Sequence, residues 1–428
     1  MDVHALAVPR VLQRERATRI ASPWAVAAIV AVFYTLLTGP GLIGNPYQFI
    51  NIGRQYHTKG TSSAAIAHAK PINDRIGYDG QFYYFLAVDP KHGSDYMDEP
   101  GVIYSRIGYP MTVRALSANN PSVIPYMLML VNILAAVGGT LAVAFFLKRH
   151  RLPPALALLY GFFPGLALAV LRDLTEPMAF ALAAGGLLAF DPKSKRRLLL
   201  SALLFGAAML TRETVALFPA LLTVGLVAGV GRASGWRERL RLGNFVRAVA
   251  FAELAFAPLF VWRHLVTTVV LPHTAATQEP FVSGEHHVAA GKAGAAIAAL
   301  IPFHAIAGQW PWTGEDVTNL FTIFLPALIW AGLAVVLLRR RLTLEPWFVL
   351  ANVAVFVVFL PTPIAVDYGS LGRASMGVLL AVLVTLPRVV ASFGEQARVV
   401  MRTLALWSLP FYLVLAILFN ALGPKYVW

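Results

Sequence analysis

Hydrophobic residues in this chain fall in long blocks, not in the alternation of a half-buried strand or the narrow stripe of a surface helix. Crossing a hydrocarbon core takes about 20 mostly apolar residues in a helix. Runs of that order lie at residues 24–43, 123–147, 154–171, 174–190, 197–211, 213–231, 246–268, 319–338, 345–361, 374–391 and 403–421. The pattern predicts an all-α polytopic membrane protein with about 11 transmembrane helices. A basic tail over residues 1–23 precedes a single transmembrane domain over residues 24–428. The tail and first span resemble a signal peptide, but no small-residue cleavage site follows, so the first span reads as an uncleaved anchor.

Two intervals between spans are long, residues 44–122 and 269–318. In the first, Phe82, Tyr83, Phe85 and Leu86 recur at helical spacing behind Gly80, which predicts an amphipathic helix lying in the headgroup layer. In the second, the apolar stretch from Gly294 to Gly308 tempts a further span. Counting it would carry Arg339, Arg340 and Arg341 to the opposite side, so an interfacial or re-entrant helix is expected there.

Composition agrees with the pattern: the 428 residues are 58% hydrophobic and only 13% charged, too few charges for a water-facing surface of that size. Cysteine is absent, which removes disulfide frameworks, thiolate metal sites and cysteine nucleophiles. The net charge of +14 raises the possibility of nucleic acid binding, and its distribution answers that. With the N-terminus inside, 22 of the 35 basic residues lie in inner segments and fourteen of the 21 carboxylates lie outside. That is the bias that orients membrane proteins, so no nucleic-acid partner is expected. Arginine-rich, alanine-rich usage suggests a bacterium with a GC-rich genome, and hence a bacterial plasma membrane.

Candidate chemistry gathers in the outer segments. Asp79 stands at or beside the start of the helix expected between the glycines and Pro90, either as its cap or as a general base held near lipid headgroups. Asp74 is the closest other carboxylate upstream. The turn Leu171-Arg172-Asp173-Leu174-Thr175-Glu176 reads as a capping box in which Asp173 reaches forward and Glu176 back. Arg172 is left over beside a helix start that favours anions. Thr211-Arg212-Glu213 repeats the arrangement, so Arg172 and Arg212 suit either a phosphate or salt bridges with Asp173 and Glu213. The last outer interval adds Asp367, Tyr368 and Arg373. In the second long interval His286-His287 is a weak metal pair, and Trp310-Pro311-Trp312 is an interfacial anchor or a sugar-stacking platform. Within the spans Glu253 is the main ionisable residue, expected as a neutral carboxyl in helix packing.

The run Gly77-Tyr78-Asp79-Gly80-Gln81-Phe82-Tyr83-Tyr84, with Leu86-Ala87 and Asp89-Pro90, resembles the Asp-containing first-loop segment of the GT-C superfamily of membrane glycosyltransferases, in particular bacterial members similar to the PIG-V-type mannosyltransferases. Leu210-Thr211-Arg212-Glu213 resembles a further recurring turn of such enzymes. The resemblance implies a GT-C-like fold and an inverting transferase of the cell envelope. Its donor would be a polyprenyl-phosphate sugar and its acceptor an extracytoplasmic glycan, lipid or protein. Asp79 and Asp74 would be catalytic, and Arg172, Arg212 and Arg373 would hold the donor phosphate. Tyr78, Gln81, Asp173, Glu176 and Glu213 would contact substrate. No cofactor is implied, and a divalent metal is optional. Two other classes fit the same chain: a transporter or flippase of lipid-linked saccharide, whose critical carboxylates would sit at the bilayer midplane, and a non-catalytic assembly subunit.

Overall fold

In the computed structural model, residues 22–60, 62–72, 74–228, 242–271, 320–358, 368–394 and 396–397 are described. Ten of the eleven apolar runs coincide with helical segments there; the run at 403–421 lies outside the described residues. The longer helices are α1 (Pro23–Gly44), α2 (Gly80–Val88), α3 (Gly108–Leu116), α4 (Ile124–Arg149), α5 (Pro164–Leu171), α6 (Glu176–Ala189), α7 (Lys195–Thr211), α8 (Leu217–Val227), α9 (Leu242–Leu265), α10 (Leu325–Arg340), α11 (Glu345–Val358), α12 (Tyr368–Ala374) and α13 (Met376–Phe393). Among the described residues there is no strand, only one isolated antiparallel bridge between Ile52 and Gly77.

Five helical stretches are long and apolar enough to cross a membrane: Pro23–Gly44, Ile124–Arg149, Gly243–Val270, Thr322–Arg340 and Met376–Phe393. A sixth forms if Pro154–Gly161 and Pro164–Leu171, bent by 51° at their junction, make one span. The bend has a local cause. Pro164 lacks an N–H and forces Phe163 out of the helical region, to φ −63° and ψ 130°. Glu176–Ala189, Glu213–Val227 and Glu345–Val357 are shorter apolar helices. The chain is an all-α, multi-pass membrane protein.

Helix starts follow capping chemistry where the sequence offers it. The Ser22 hydroxyl accepts from the Ala25 N–H at 3.1 Å, with Pro23 in the first turn, where its missing N–H costs nothing. Ser194 caps α7 in the same way. In the bundle α4 packs on α1 and α6, α6 on α7, α7 on α9, and α13 on α11. Their buried faces make one continuous apolar core. A second core lies under the first long interval, built on Tyr83, Tyr84, Phe85, Tyr96, Tyr104 and Tyr109. Buried tyrosines need partners for their hydroxyls. Tyr104 donates to the Pro90 carbonyl at 2.7 Å and Tyr109 to the Leu128 carbonyl at 2.9 Å.

That second core overturns the reading of α2 as a helix lying on lipid. Its residues are buried on nearly every side, Gly80, Gln81, Tyr83, Tyr84, Phe85, Leu86, Ala87 and Val88 among them. The apolar spacing that suggests a membrane-facing stripe instead marks a helix enclosed by α3, α4 and the short helices of the same interval. Glu253 departs from expectation too: it lies on an exposed face of α9, not packed between helices.

Candidate functional site

The segment 75–81 is held by its backbone. Gly77 has φ +82°, and an added Cβ would come within 2.5 Å of the Asn51 carbonyl oxygen and the Gly53 nitrogen, so only glycine suits the position. The Tyr78 N–H donates to the Asn51 carbonyl at 3.1 Å. Gln81, fully buried, accepts from the Gly53 N–H at 3.0 Å and donates from its amide to the Ile76 carbonyl at 2.8 Å. Expected to touch substrate, Gln81 instead spends both ends of its amide on the loop.

These contacts aim Tyr78 and Asp79 at the turns between α5 and α6 and at α12. Asp79 occupies the cap position of α2 with helical φ and ψ, and its side chain caps nothing. Its Oδ2 accepts from Arg373 Nη1 at 3.2 Å, leaving Oδ1 without a hydrogen-bond partner among the described residues, and the side chain is 51% exposed. Arg373 is partly buried. It also reaches Glu176 at 3.7 Å and donates to the Ser370 hydroxyl at 3.2 Å. Burial alone would lower its pKa; Glu176, Tyr78 and Asp79 outweigh that and raise it, so the guanidinium stays charged. The guanidiniums of Arg172 and Arg373 lie 5.5 and 5.3 Å from the centre of the Tyr78 ring, a double cation–π contact.

The charges pair across the fold and not within their own turns. Glu176, 1% exposed, takes Arg212 at 3.2 Å as well as Arg373, and Arg212 also donates to the Thr175 hydroxyl at 3.3 Å. Glu213 is clasped by Arg106 through two bonds of 3.1 and 2.6 Å, and Arg106 donates to the Tyr83 hydroxyl at 3.3 Å. Local Arg–acid pairs at 172–173 and 212–213 do not form. Arg106 is the member of this cluster that sequence reasoning missed. One signal was available: Arg-Ile-Gly-Tyr occurs twice, at 75–78 and 106–109. Both glycines sit where a Cβ would strike a neighbour, Gly108 against Thr211 at 2.5 Å.

Asp173 has a different role from the expected N-cap. It takes a left-handed φ of +50° just past the end of α5, its N–H donating to the Val170 carbonyl at 3.3 Å and that of Leu174 to the Ala169 carbonyl at 2.9 Å. That pair of bonds is a Schellman motif, a C-terminal cap in which Asp173 fills the place usually given to glycine. Its carboxyl is fully buried, with neither oxygen hydrogen-bonded. Burial pushes its pKa well above the ordinary value, against an opposing pull from Arg172, and so keeps the acid neutral. A raised folded pKa gives stability that is complete below the unfolded value near 3.9 and is lost as pH climbs through the raised value. Asp173→Asn, which tolerates the left-handed backbone, should therefore gain on wild type as pH rises from about 4, by up to about 1.4 kcal/mol per pH unit. Thermal unfolding of both proteins across that range checks this; a constant difference would contradict it.

Asp74 is not brought to the cluster. It pairs with Arg54 at 2.7 Å on the surface, the two side chains 79% and 65% exposed. Asp367, Glu279, Glu285, His286, His287, Trp310, Trp312, Glu315 and Asp316 lie outside the described residues, as does the side chain of Tyr368. Among the described residues no group of three His, Asp or Glu side chains could hold a metal ion.

Close backbone packing sets the distance between Asp79 and the arginine turns. A Cβ on Gly80 would overlap the carbonyl oxygen of Arg172, and one on Gly165 of α5 would overlap the carbonyl of Gly372 beside Arg373. Backbone at both points leaves no flexible atom to yield. Gly80→Ala is expected to cost about 1–3 kcal/mol of stability, the scale of overpacking, and to move Asp79 away from Arg373. Thermal unfolding in detergent reads the first effect, and an unchanged midpoint would contradict it.

No family model, curated protein or solved structure matches this chain.

Proposed function

We propose that the protein is an integral-membrane glycosyltransferase of the bacterial plasma membrane, using a polyprenyl-phosphate sugar and working on the extracytoplasmic side of a bundle of about 11 spans. The observation that carries this reading is Asp79. Its carboxylate has one oxygen oriented by a partly buried arginine and the other open, at the edge of a cluster holding Arg172, Arg212 and Arg373. Oδ1 takes the proton of an acceptor hydroxyl as that oxygen attacks the anomeric carbon. The bond from that carbon to the phosphate oxygen breaks, its electron pair leaves with the prenyl phosphate, and configuration inverts. Charge growing on the phosphate is met by fixed guanidiniums, which need no reorganisation at the moment of reaction.

Carriage of a lipid-linked saccharide is the competing class. Among the described residues the buried charged side chains are Arg172, Asp173 and Glu176, all at the Asp79 end of the helices and none halfway along a span. That distribution supports catalysis at a surface over a polar path through the middle. Purified protein supplied with a polyprenyl-phosphate sugar and acceptor should release free prenyl phosphate. If intact donor only redistributes between leaflets of a reconstituted vesicle, the reading is wrong.

A further inference from the structure

At the other end of α6, fourteen residues or about 20 Å along the helix from Glu176, the bundle opens into a cavity of about 80 Å³ among α4, α6, α8, α11 and α13. Its wall is mainly apolar and aromatic, with Phe146, Phe190 and Phe348 prominent. Beside Asp191 and Lys193 in the turn after α6, two charges face it from different helices: Arg149 in the last turn of α4 and Glu345 in the first turn of α11. They form no ion pair with one another, nor with any other charge among the described residues. Among the described residues the exposed Arg149 side chain makes one hydrogen bond, to the Leu188 carbonyl at 3.2 Å, while Glu345 Oε2 is buried with no partner. Asp191, on the same wall, is already engaged by Arg197 at 3.3 Å. His150 is held below its ordinary pKa by burial and by Arg149, which outweigh an opposing pull from Glu345, so it lines the cavity as a neutral ring.

An unanswered anion beside aromatic rings calls for a hydrogen-bonding cation. A guanidinium without an ion pair on the wall of the same cavity calls for an oxyanion. Joined on one molecule, with an apolar body to follow the cavity's lining out into the bilayer, they describe a zwitterionic amphiphile. We infer that this cavity is a binding site for an amine-bearing phospholipid, with its ammonium on Glu345 and its phosphate on Arg149. The volume suits a headgroup: space for roughly half a dozen waters, too little for acyl chains, which would run outside between the helices. Lys148, Arg151 and Lys195 surround this end, placing it at the basic, inward side on the positive-inside rule.

The full-length protein, extracted in mild detergent after incubation with vesicles of equal ethanolamine, choline and glycerol phospholipid, provides the test by lipid analysis of the purified sample. Ethanolamine lipid should be retained at least fivefold over each of the other two. Glu345→Gln should abolish that preference; it keeps the bond from Thr385, which goes to the backbone oxygen of residue 345. Arg149→Lys, which keeps the charge, should preserve the amount of ethanolamine lipid retained, and Arg149→Gln should lower that amount at least fivefold, with unchanged thermal unfolding in all three variants. Equal retention of the glycerol lipid, an unaltered preference in Glu345→Gln, or no retained lipid would each overturn the assignment. None of these readouts depends on sugar transfer, so the inference stands or falls apart from the proposed activity.

Discussion

Asp79→Asn should lower sugar transfer by a factor of about 10² to 10⁴, the usual share of a positioned general base, while the protein folds and inserts as before. The substitution keeps the size of the side chain and its ability to accept from Arg373, and removes the negative charge and the capacity to take up a proton. Structural cost should be small because Asp79 is half exposed and caps no helix. Donor binding should persist, since the arginines remain, so the loss should appear in kcat and not in KM. The amount of prenyl phosphate released over time by wild type and variant gives the comparison. Equal rates would remove Asp79 from the chemistry.

Arg373→Ala should cost about 10² to 10³ in kcat, the scale found when one preorganised donor to a developing oxyanion is removed. The geometry also says why the fold should survive. Glu176 is almost wholly buried, and leaving such a group unpaired is expensive, but Arg212 remains at 3.2 Å to hold it. Asp79 loses its partner and can be met by water. Arg373→Lys is expected to recover only part of the rate: a single ammonium cannot reach Asp79, Glu176 and Ser370 together as the guanidinium does. A full rate in the alanine variant would show that the arginine serves packing alone. Single-turnover measurements with preloaded donor separate that outcome from a defect in binding.

Elements of the fold were legible in proportion to how local their causes are. Long apolar blocks announce helices because a spanning helix satisfies its own backbone, whereas the bend at Pro164 went unread inside the run at 154–171. The burial of α2 was not legible. Its apolar residues are compatible with lipid or with protein, and only the packing of α3, α4 and neighbouring short helices decides between them. Gly77, Tyr78, Asp79 and Gly80 were singled out as a unit, and the structure gives each a different place: a left-handed turn, a ring against two guanidiniums, an open carboxylate and a close approach to Arg172.

Pairing across the cluster was the least visible part. Arg106 meets Glu213 across 107 positions and Arg373 meets Asp79 across 294, separations that no local spacing encodes. Asp173 shows the converse error. A pattern resembling an N-terminal capping box is used at the end of the preceding helix, because the four-residue gap between α5 and α6 can serve either one, and the left-handed backbone at 173 commits it to α5.

The central claim is that Asp79 removes the acceptor's proton during cleavage of a lipid-phosphate sugar. Its most direct test compares lipid-linked sugars and surface glycans in a strain lacking the protein, complemented with wild type or with Asp79→Asn. The account predicts that wild type restores the glycan and that the variant, although present in the membrane at the same level, leaves the donor lipid to accumulate as in the empty strain. Restoration of both pools by Asp79→Asn would contradict it.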